Sequence, residues 1–259
     1  PMAGVAKLVL AHVVLDAEPL EAGRTGEATT IDAATASRYR ELASAGARTV
    51  PVLQGEVWTR RDLLGASLIG SGNNTAELLM LEVFGGLEQY TTAAEEWLQQ
   101  VGLTETTVVD ATGLDSGNVS TAGDLARLAQ LTLADPALRD LFTERPRRAT
   151  AGATWGDEAA FLADTGAIGF VRTYTDAAGV VLLLVVPVGG AGETDDPGAE
   201  VAVAMLGQPG YSQAESGARA LIASLADVVA PVTLVEVGAT VGELRSAWGQ
   251  STTLVAADA

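Results

Sequence analysis

The chain has 259 residues, of which 48% are hydrophobic and 19% are charged, so it is long enough to bury one large core. Its 33 acidic and 15 basic residues give a formal net charge of −18, which disfavours binding to nucleic-acid phosphates. Cysteine is absent, which excludes disulfides and thiol catalysis. His12 is the only histidine. A histidine-based zinc site or a Ser-His-Asp triad is also hard to build from one histidine.

The first sixteen residues predict a tight turn that leads into a helix apolar on nearly every side. Such a helix belongs in a core. Lys7, the only lysine of the chain, interrupts this apolar run. A buried ammonium is costly unless it is paired or functional, and burial lowers the pKa of a lysine towards the range of a general base. Two interpretations stay open at this point: Lys7 is a functional base, or its ammonium reaches the surface from near the helix end.

The first half of the chain is predicted to be mainly helical. Thr59 and Asp62 form a capping-box pattern, and Asn74 or Thr75 is expected to cap the next helix. The predicted elements are, in order, a loop at 16–28, a strand at 29–31, a helix at 32–42, strand character at 49–58, a helix at 60–69, a polar turn at 70–74, and helices at 76–84 and 88–101.

The second half begins with helices and continues with antiparallel strands, which predicts an α+β fold. Its longest apolar run, 180–188, is too short to cross a bilayer and predicts a buried strand. The predicted elements are a strand-like segment at 106–110, a loop at 111–117, a helix capped by Ser120-Thr121, a helix opened by Asp135-Pro136, a loop at 143–157, strands at 167–174 and 180–188, an acidic glycine loop at 189–197, a strand at 200–206, a helix at 212–229 and further β structure from 231.

Four stretches carry the functional prediction: Pro1-Met2-Ala3 with Lys7, Ser71-Gly72-Asn73, 111–126 and the hairpin at 169–179. Their order resembles the serine-type D-Ala-D-Ala carboxypeptidases, the low-molecular-mass penicillin-binding proteins. In that family Pro-Met-Ala-Ser-x-x-Lys opens a buried helix, Ser-x-Asn follows, and Lys-Thr-Gly lies on a strand. Each motif alone is weak, but together they are similar to the family over nearly the whole chain.

The resemblance implies a DD-peptidase/β-lactamase-like fold, in which an antiparallel sheet packs with a helical cluster, and a serine peptidase without metal or cofactor. A serine and a lysine one helical turn apart lie on the same face, within proton-transfer reach. By the family pattern Lys7 is the base, Ser71 relays protons and Asn73 orients the substrate amide. The strand lysine of the family binds the terminal carboxylate.

Two departures from this pattern decide the expected activity. Gly4 stands where the nucleophilic serine is expected, and no other Ser-x-x-Lys exists because Lys7 is the only lysine. The third motif is also lost. In one register, Val171-Arg172-Thr173 stand at the positions of Lys-Thr-Gly. In a register shifted by one residue, Arg172-Thr173 stand at Lys-Thr and Tyr174 replaces the glycine, where its side chain crowds the strand. Arg172 retains a fork that suits a carboxylate.

The leading hypothesis is an exported, non-catalytic relative in the bacterial cell envelope. It is expected to bind peptidoglycan stem peptides or a cell-envelope protein, without a covalent step, through a cleft lined by Lys7, Ser71, Asn73 and Arg172, with Thr173 and Tyr174 beside them. Two alternatives stay open. One is a working carboxypeptidase whose nucleophile has been replaced at Gly4, and the other is an interaction scaffold with a closed cleft.

Two domains are expected. Residues 1–230 are predicted to form the carboxypeptidase-like domain, without the strand that usually precedes the first motif of the family. Residues 231–259 are predicted to begin a small C-terminal β domain. No nucleic-acid partner is expected, and any attachment to a membrane is expected through segments outside this chain.

Overall fold

The structure, a computed structural model, describes residues 1–158, 160–188, 199–228 and 235–257. The helices in these ranges are α1 (Ala6–Ala17), α2 (Ala33–Ser44), α3 (Arg60–Leu68), α4 (Asn73–Phe84), α5 (Leu87–Gln100), α6 (Ala122–Ala134), α7 (Pro136–Glu144) and α8 (Tyr211–Val228). The strands are β1 (Ala28–Thr30), β2 (Val57–Thr59), β3 (Ile168–Thr175), β4 (Gly179–Val188), β5 (Ala199–Gln208), β6 (Thr240–Arg245) and β7 (Ser251–Val255). Helices together with antiparallel sheets confirm the predicted α+β class.

The apolar opening of the chain forms the central helix of the core. A 3₁₀ turn over Ala3–Val5 leads directly into α1, and every residue from Ala6 to Leu15 is buried. Helices α3, α4, α5 and α6 pack around α1. This arrangement confirms the expectation that a helix apolar on all sides lies inside the molecule.

Strands β3, β4 and β5 form an antiparallel sheet with β4 in the middle. Side chains alternate along β4: Val181, Leu183 and Val185 belong to the main core with α1, whereas Leu182 and Leu184 belong to a second core. That second core includes Ala214 and Ala218 of α8. Because both faces of β4 are covered, its sequence is a continuous apolar run without polar alternation.

The predicted helix starts are mostly confirmed. The Thr59 side chain accepts from the Asp62 backbone N–H and Asp62 accepts from the Thr59 N–H, which completes the capping box of α3. Thr121 caps α6, and Asp135 caps α7 directly before Pro136. Each of these caps depends on residues that are adjacent in sequence, so the pattern is visible without the fold.

Three local predictions differ from the structure. Asn74 and Thr75 do not cap α4, which begins at Asn73 and follows Gly72 without a side-chain cap. The Asn74 side chain instead accepts from the Val50 N–H and donates to the Val50 carbonyl, both at 2.9 Å. The strand character predicted at 49–58 is reduced to Val57–Thr59, and the segment before it is irregular. The strand predicted at 106–110 is likewise only a single bridge, between Thr107 and Val119.

The C-terminal strands β6 and β7 pair with each other as a two-stranded antiparallel sheet. Their residues are largely exposed. The loop predicted at 189–197 and the first residues of the β structure predicted from 231 lie outside the described residues. The domain boundary near residue 230 stays a prediction. None of the described helices is long and apolar enough to cross a bilayer.

Candidate functional site

The residues singled out by the sequence converge on one cleft of about 270 Å³. Three segments surround it: the 3₁₀ turn and first turn of α1, the turn between α3 and α4, and strand β3. The lining includes all seven predicted site residues, Gly4, Lys7, Ser71, Asn73, Arg172, Thr173 and Tyr174. It also includes Thr112 and Gly113 of the family-like stretch 111–126, and residues outside the four predicted stretches, among them Arg48 and Tyr211.

Position 4 points directly at the lysine. A Cβ placed on Gly4 would lie 3.5 Å from Lys7 Nζ and 3.1 Å from Thr173 Oγ1. A serine hydroxyl at this position would therefore be within proton-transfer reach of the Lys7 amine. Glycine supplies no hydroxyl, so the place of a nucleophile is present but its reacting atom is not.

Lys7 is buried, with 5% of its surface exposed, so the interpretation that its ammonium reaches the surface is wrong. Its Nζ donates to the Thr112 carbonyl at 2.8 Å. Burial lowers the pKa of Lys7 from 10.5 to about 8; the charge of Asp110 opposes this change and that of Arg48 adds to it. Lys7 is therefore a cation at neutral pH that can lose its proton near pH 8.

Asp110 organises the loop that holds Lys7. Its carboxylate accepts from the backbone N–H groups of Thr112 and Asp115, both at 2.7 Å. The loop then lies against the start of the chain, because Gly113 has a φ of +82° and a Cβ on it would be 1.8 Å from the Ala3 carbonyl oxygen. Only a glycine allows this approach. The sequence marked this stretch as family-like without revealing that it is packed on the nucleophile position.

The Ser71-Gly72-Asn73 turn brings a serine and an amide to the cleft. Ser71 adopts a φ of +53°, which is strained for a residue with a side chain. Asn73 is buried, and among the described residues its Oδ1 has no hydrogen-bond partner. A buried amide oxygen without a partner is costly, so it is a natural point for a ligand N–H.

Strand β3 distinguishes between the two registers of the third motif. The Oγ1 of Thr173 lies in the space that a side chain on Gly4 would need. Val171 points to the same side of the strand and is buried. A glycine at position 173 would leave that space open, so the packing favours the register in which Thr173 replaces the motif glycine. Tyr174 lies at the rim, half exposed, and its hydroxyl donates to Asp176.

Arg172 is held by helix α8. Its guanidinium carbon lies 4.4 Å from the centre of the Tyr211 ring, and its Nε lies 3.0 Å from Glu215 Oε1. A second arginine of the cleft, Arg48, is paired with Glu158. These partners come from distant parts of the chain, so no local pattern indicated them.

Three cationic side chains line the cleft, Lys7, Arg48 and Arg172; Arg48 and Arg172 each contact a glutamate, and the N–H groups of the three can still donate to an anionic ligand group. Among the described residues no group of three acidic or histidine side chains is placed to hold a metal ion. The arrangement offers cations, an unpaired amide oxygen and an open volume, which together suit a peptide with a carboxylate.

The chain is similar in sequence to two bacterial D-alanyl-D-alanine endopeptidases. The chain is 33% identical over 151 residues to a D-alanyl-D-alanine endopeptidase of Escherichia coli, covering 58% of this chain and 45% of that protein. It is 35% identical over 129 residues to a D-alanyl-D-alanine endopeptidase of Pseudomonas aeruginosa, covering 49% of this chain and 38% of that protein. The matched segments therefore span less than half of these curated relatives.

Solved structures show the same fold. A D-alanyl-D-alanine carboxypeptidase from Mycobacterium tuberculosis superimposes with a TM-score of 0.67 at 24% identity, covering 86% of this chain and 82% of that one. The DD-transpeptidase of Streptomyces K15 gives a TM-score of 0.66 at 19% identity, with 88% and 87% covered. At these identities the likeness establishes the fold, which is that of the DD-peptidases and confirms the predicted fold class.

The family itself follows from a wider match. Residues 1–187 match the model of the peptidase S11 family, described as D-alanyl-D-alanine carboxypeptidase. This range includes the Lys7 helix, the Ser71-Gly72-Asn73 turn and the strand with Arg172 and Thr173. Because the match extends over more than half of the chain, the protein belongs to the D-alanyl-D-alanine carboxypeptidase family.

Proposed function

We propose that this protein is a non-catalytic member of its family that binds peptides ending in D-Ala-D-Ala. The observation that carries the proposal is the geometry at position 4, where Gly4 faces Lys7 Nζ without a hydroxyl. Loss of the nucleophile costs a serine hydrolase on the order of a millionfold in kcat. A cleft that keeps its lysine and its asparagine but lacks the attacking atom is suited to binding without acylation.

The binding mode follows from the polar groups of the cleft. Arg172 supplies a fork for the terminal carboxylate of the peptide. Asn73 Oδ1, which has no partner among the described residues, accepts a backbone N–H of the peptide. Lys7, protonated at neutral pH, adds positive charge at the scissile carbonyl.

The two alternatives are less well supported. A working enzyme that differs only at position 4 leaves the Thr173 side chain unexplained, because its Oγ1 takes up space beside that position. A scaffold with a closed cleft is disfavoured by the open volume of about 270 Å³. Location outside the cytoplasm, in the bacterial cell envelope, is part of the proposal and is supported by family membership, and a cell-envelope protein remains the second candidate partner.

Two measurements on the same protein test the proposal. Intact-mass spectrometry after incubation with a penicillin is expected to show no adduct, because Gly4 supplies no hydroxyl at the nucleophile position. Calorimetric titration with an N-acyl-D-Ala-D-Ala peptide is expected to show binding, and its C-terminal amide is expected to bind more weakly. A penicillin adduct on the unaltered protein would refute the non-catalytic assignment, and absence of binding would refute the peptide ligand.

A further inference from the structure

Helix α8 reaches the cleft with two side chains that both contact Arg172. Tyr211 and Glu215 are four residues apart on α8, so they lie on one face of the helix. Tyr211 lies against the guanidinium plane at 4.4 Å, and Glu215 lies 3.0 Å from Nε. Two unlike contacts on one guanidinium fix both its plane and its direction.

The orientation of the fork can be read from the burial of its atoms. Nε of Arg172 is buried and lies 3.0 Å from Glu215 Oε1 without forming a hydrogen bond, whereas one third of the whole side chain is exposed. Arg172 lines the cleft together with Tyr211. Because Glu215 approaches the guanidinium at Nε, it does not approach the Nη1–Nη2 edge, which suits bidentate binding of a carboxylate.

We propose that Tyr211 and Glu215 are positioning residues, which hold Arg172 so that its Nη edge receives the C-terminal carboxylate of a bound peptide. This inference rests on the proposed function, and it adds α8 to the recognition site and makes a free carboxylate the selected feature. An unsupported arginine has many rotamers, and each one that turns the fork away weakens binding. Stacking on the ring and attraction to Glu215 remove most of those rotamers before the ligand arrives.

The experiment compares two ligands on a set of matched variants. The ligands are an N-acyl-D-Ala-D-Ala peptide and its C-terminal amide, titrated calorimetrically into the full chain. Tyr211→Ala and Glu215→Ala are each expected to weaken binding of the acid by about fivefold to tenfold, where tenfold corresponds to about 1.4 kcal/mol. Binding of the amide is expected to stay within about twofold, because the amide does not need the charged fork.

Conservative variants distinguish positioning from a general structural role. Tyr211→Phe keeps the ring and is expected to retain most of the affinity for the acid, whereas Glu215→Gln removes the charge that attracts Arg172 and is expected to behave like Glu215→Ala. Arg219→Ala is the control, since it breaks another ion pair of α8, with Asp164. It is expected to change neither ligand's affinity.

Each outcome bears on a definite claim. If the unaltered protein binds neither ligand, the proposed function fails and this inference fails with it. If it prefers the acid but the two alanine variants keep that preference, only the role of α8 is refuted. If Glu215→Ala binds the acid more tightly, Glu215 competes with the ligand carboxylate, and the positioning role is overturned.

Discussion

At the scale of single residues, Gly4 and Thr173 share one small space. A Cβ on Gly4 would be 3.1 Å from Thr173 Oγ1, closer than side chains usually pack, so the threonine would have to shift by a few tenths of an ångström. The two residues therefore act as a pair. A serine nucleophile at position 4 is therefore expected to react faster when position 173 gives it room.

This pairing predicts the behaviour of a double variant. Gly4→Ser combined with Thr173→Gly is expected to form a penicillin adduct, and to form it at least about tenfold faster than Gly4→Ser alone, which corresponds to about 1.4 kcal/mol in the barrier. Intact-mass spectrometry over time measures both rates. Gly4→Ala with Thr173→Gly is the control, since it has the space without the hydroxyl and should stay unmodified. Equal rates for the single and double serine variants would show that Thr173 does not obstruct the site.

Lys7 links the site to stability. Its pKa is about 8 in the folded protein and 10.5 for an exposed lysine, because burial disfavours the ammonium. Between these two pH values the unfolded chain binds more protons, so the free energy of unfolding rises with pH. Stability is greatest above pH 10.5 and is lost as the pH falls through 8.

A pH comparison of two proteins isolates this effect. From pH 7 to pH 10 the unaltered protein is expected to gain roughly 2 to 3 kcal/mol of unfolding free energy relative to Lys7→Met, since one pKa unit corresponds to about 1.4 kcal/mol. Urea denaturation of both proteins at the two pH values gives the difference, and other titrating groups cancel. Parallel pH profiles for the two proteins would mean that the lysine is not desolvated as described.

At the scale of elements, the start of α4 carries two neighbouring asparagines with different contacts. Asn74 clamps the backbone of Val50 through two hydrogen bonds, and Asn73 lines the cleft. The Asn73 backbone N–H donates to the Arg48 carbonyl at 3.0 Å, so the same turn positions a cleft arginine. One helix terminus therefore carries a structural residue and a residue of the proposed binding site.

Alanine variants of these two residues are expected to differ in kind. Asn74→Ala leaves the buried N–H and carbonyl of Val50 without partners and should lower the free energy of unfolding by about 2 to 3 kcal/mol. Asn73→Ala removes no side-chain hydrogen bond to the described part of the chain and should cost less than about 1 kcal/mol while weakening peptide binding. Urea denaturation and calorimetry measure the two effects. A larger stability loss in Asn73→Ala than in Asn74→Ala would reverse the assignment.

At the scale of the whole molecule, one sheet joins the site to its supports. Strand β3 carries Arg172 and Thr173, β4 buries both of its faces, and α8 covers one of them. The cleft lies where β3 meets the start of α1. By contrast, β6 and β7 pair with each other, and Leu244 and Trp248 of that region are 62% and 81% exposed.

This contrast predicts that the C-terminal hairpin adds little to the core. A chain that ends at residue 234 is expected to melt within about 2 °C of the full chain, because about 1 kcal/mol shifts the Tm of a domain this size by 2–4 °C and the hairpin buries little apolar surface. Calorimetry or circular dichroism of both chains measures the change. A loss of more than about 5 °C would show that the hairpin is part of the main core.

Much of this fold was predictable from the sequence because the signals are local. The caps at Thr59, Thr121 and Asp135 depend on residues three or fewer positions away. The apolar runs of α1 and β4 indicate burial on all sides wherever the partners come from. The predicted site residues meet in one cleft because the order of the motifs reflects the family fold, although their roles stay untested.

The sequence by itself determined the class of fold, the family and the absence of a hydroxyl at position 4. The tertiary structure alone decided which atoms surround that position: Thr173 lies beside Gly4, Tyr211 and Glu215 hold Arg172, and Asn74 clamps Val50. The reason is physical. Periodicity and capping act over a few residues, whereas packing joins side chains far apart in the chain, and it is packing that sets the space, the burial and the pKa of a site.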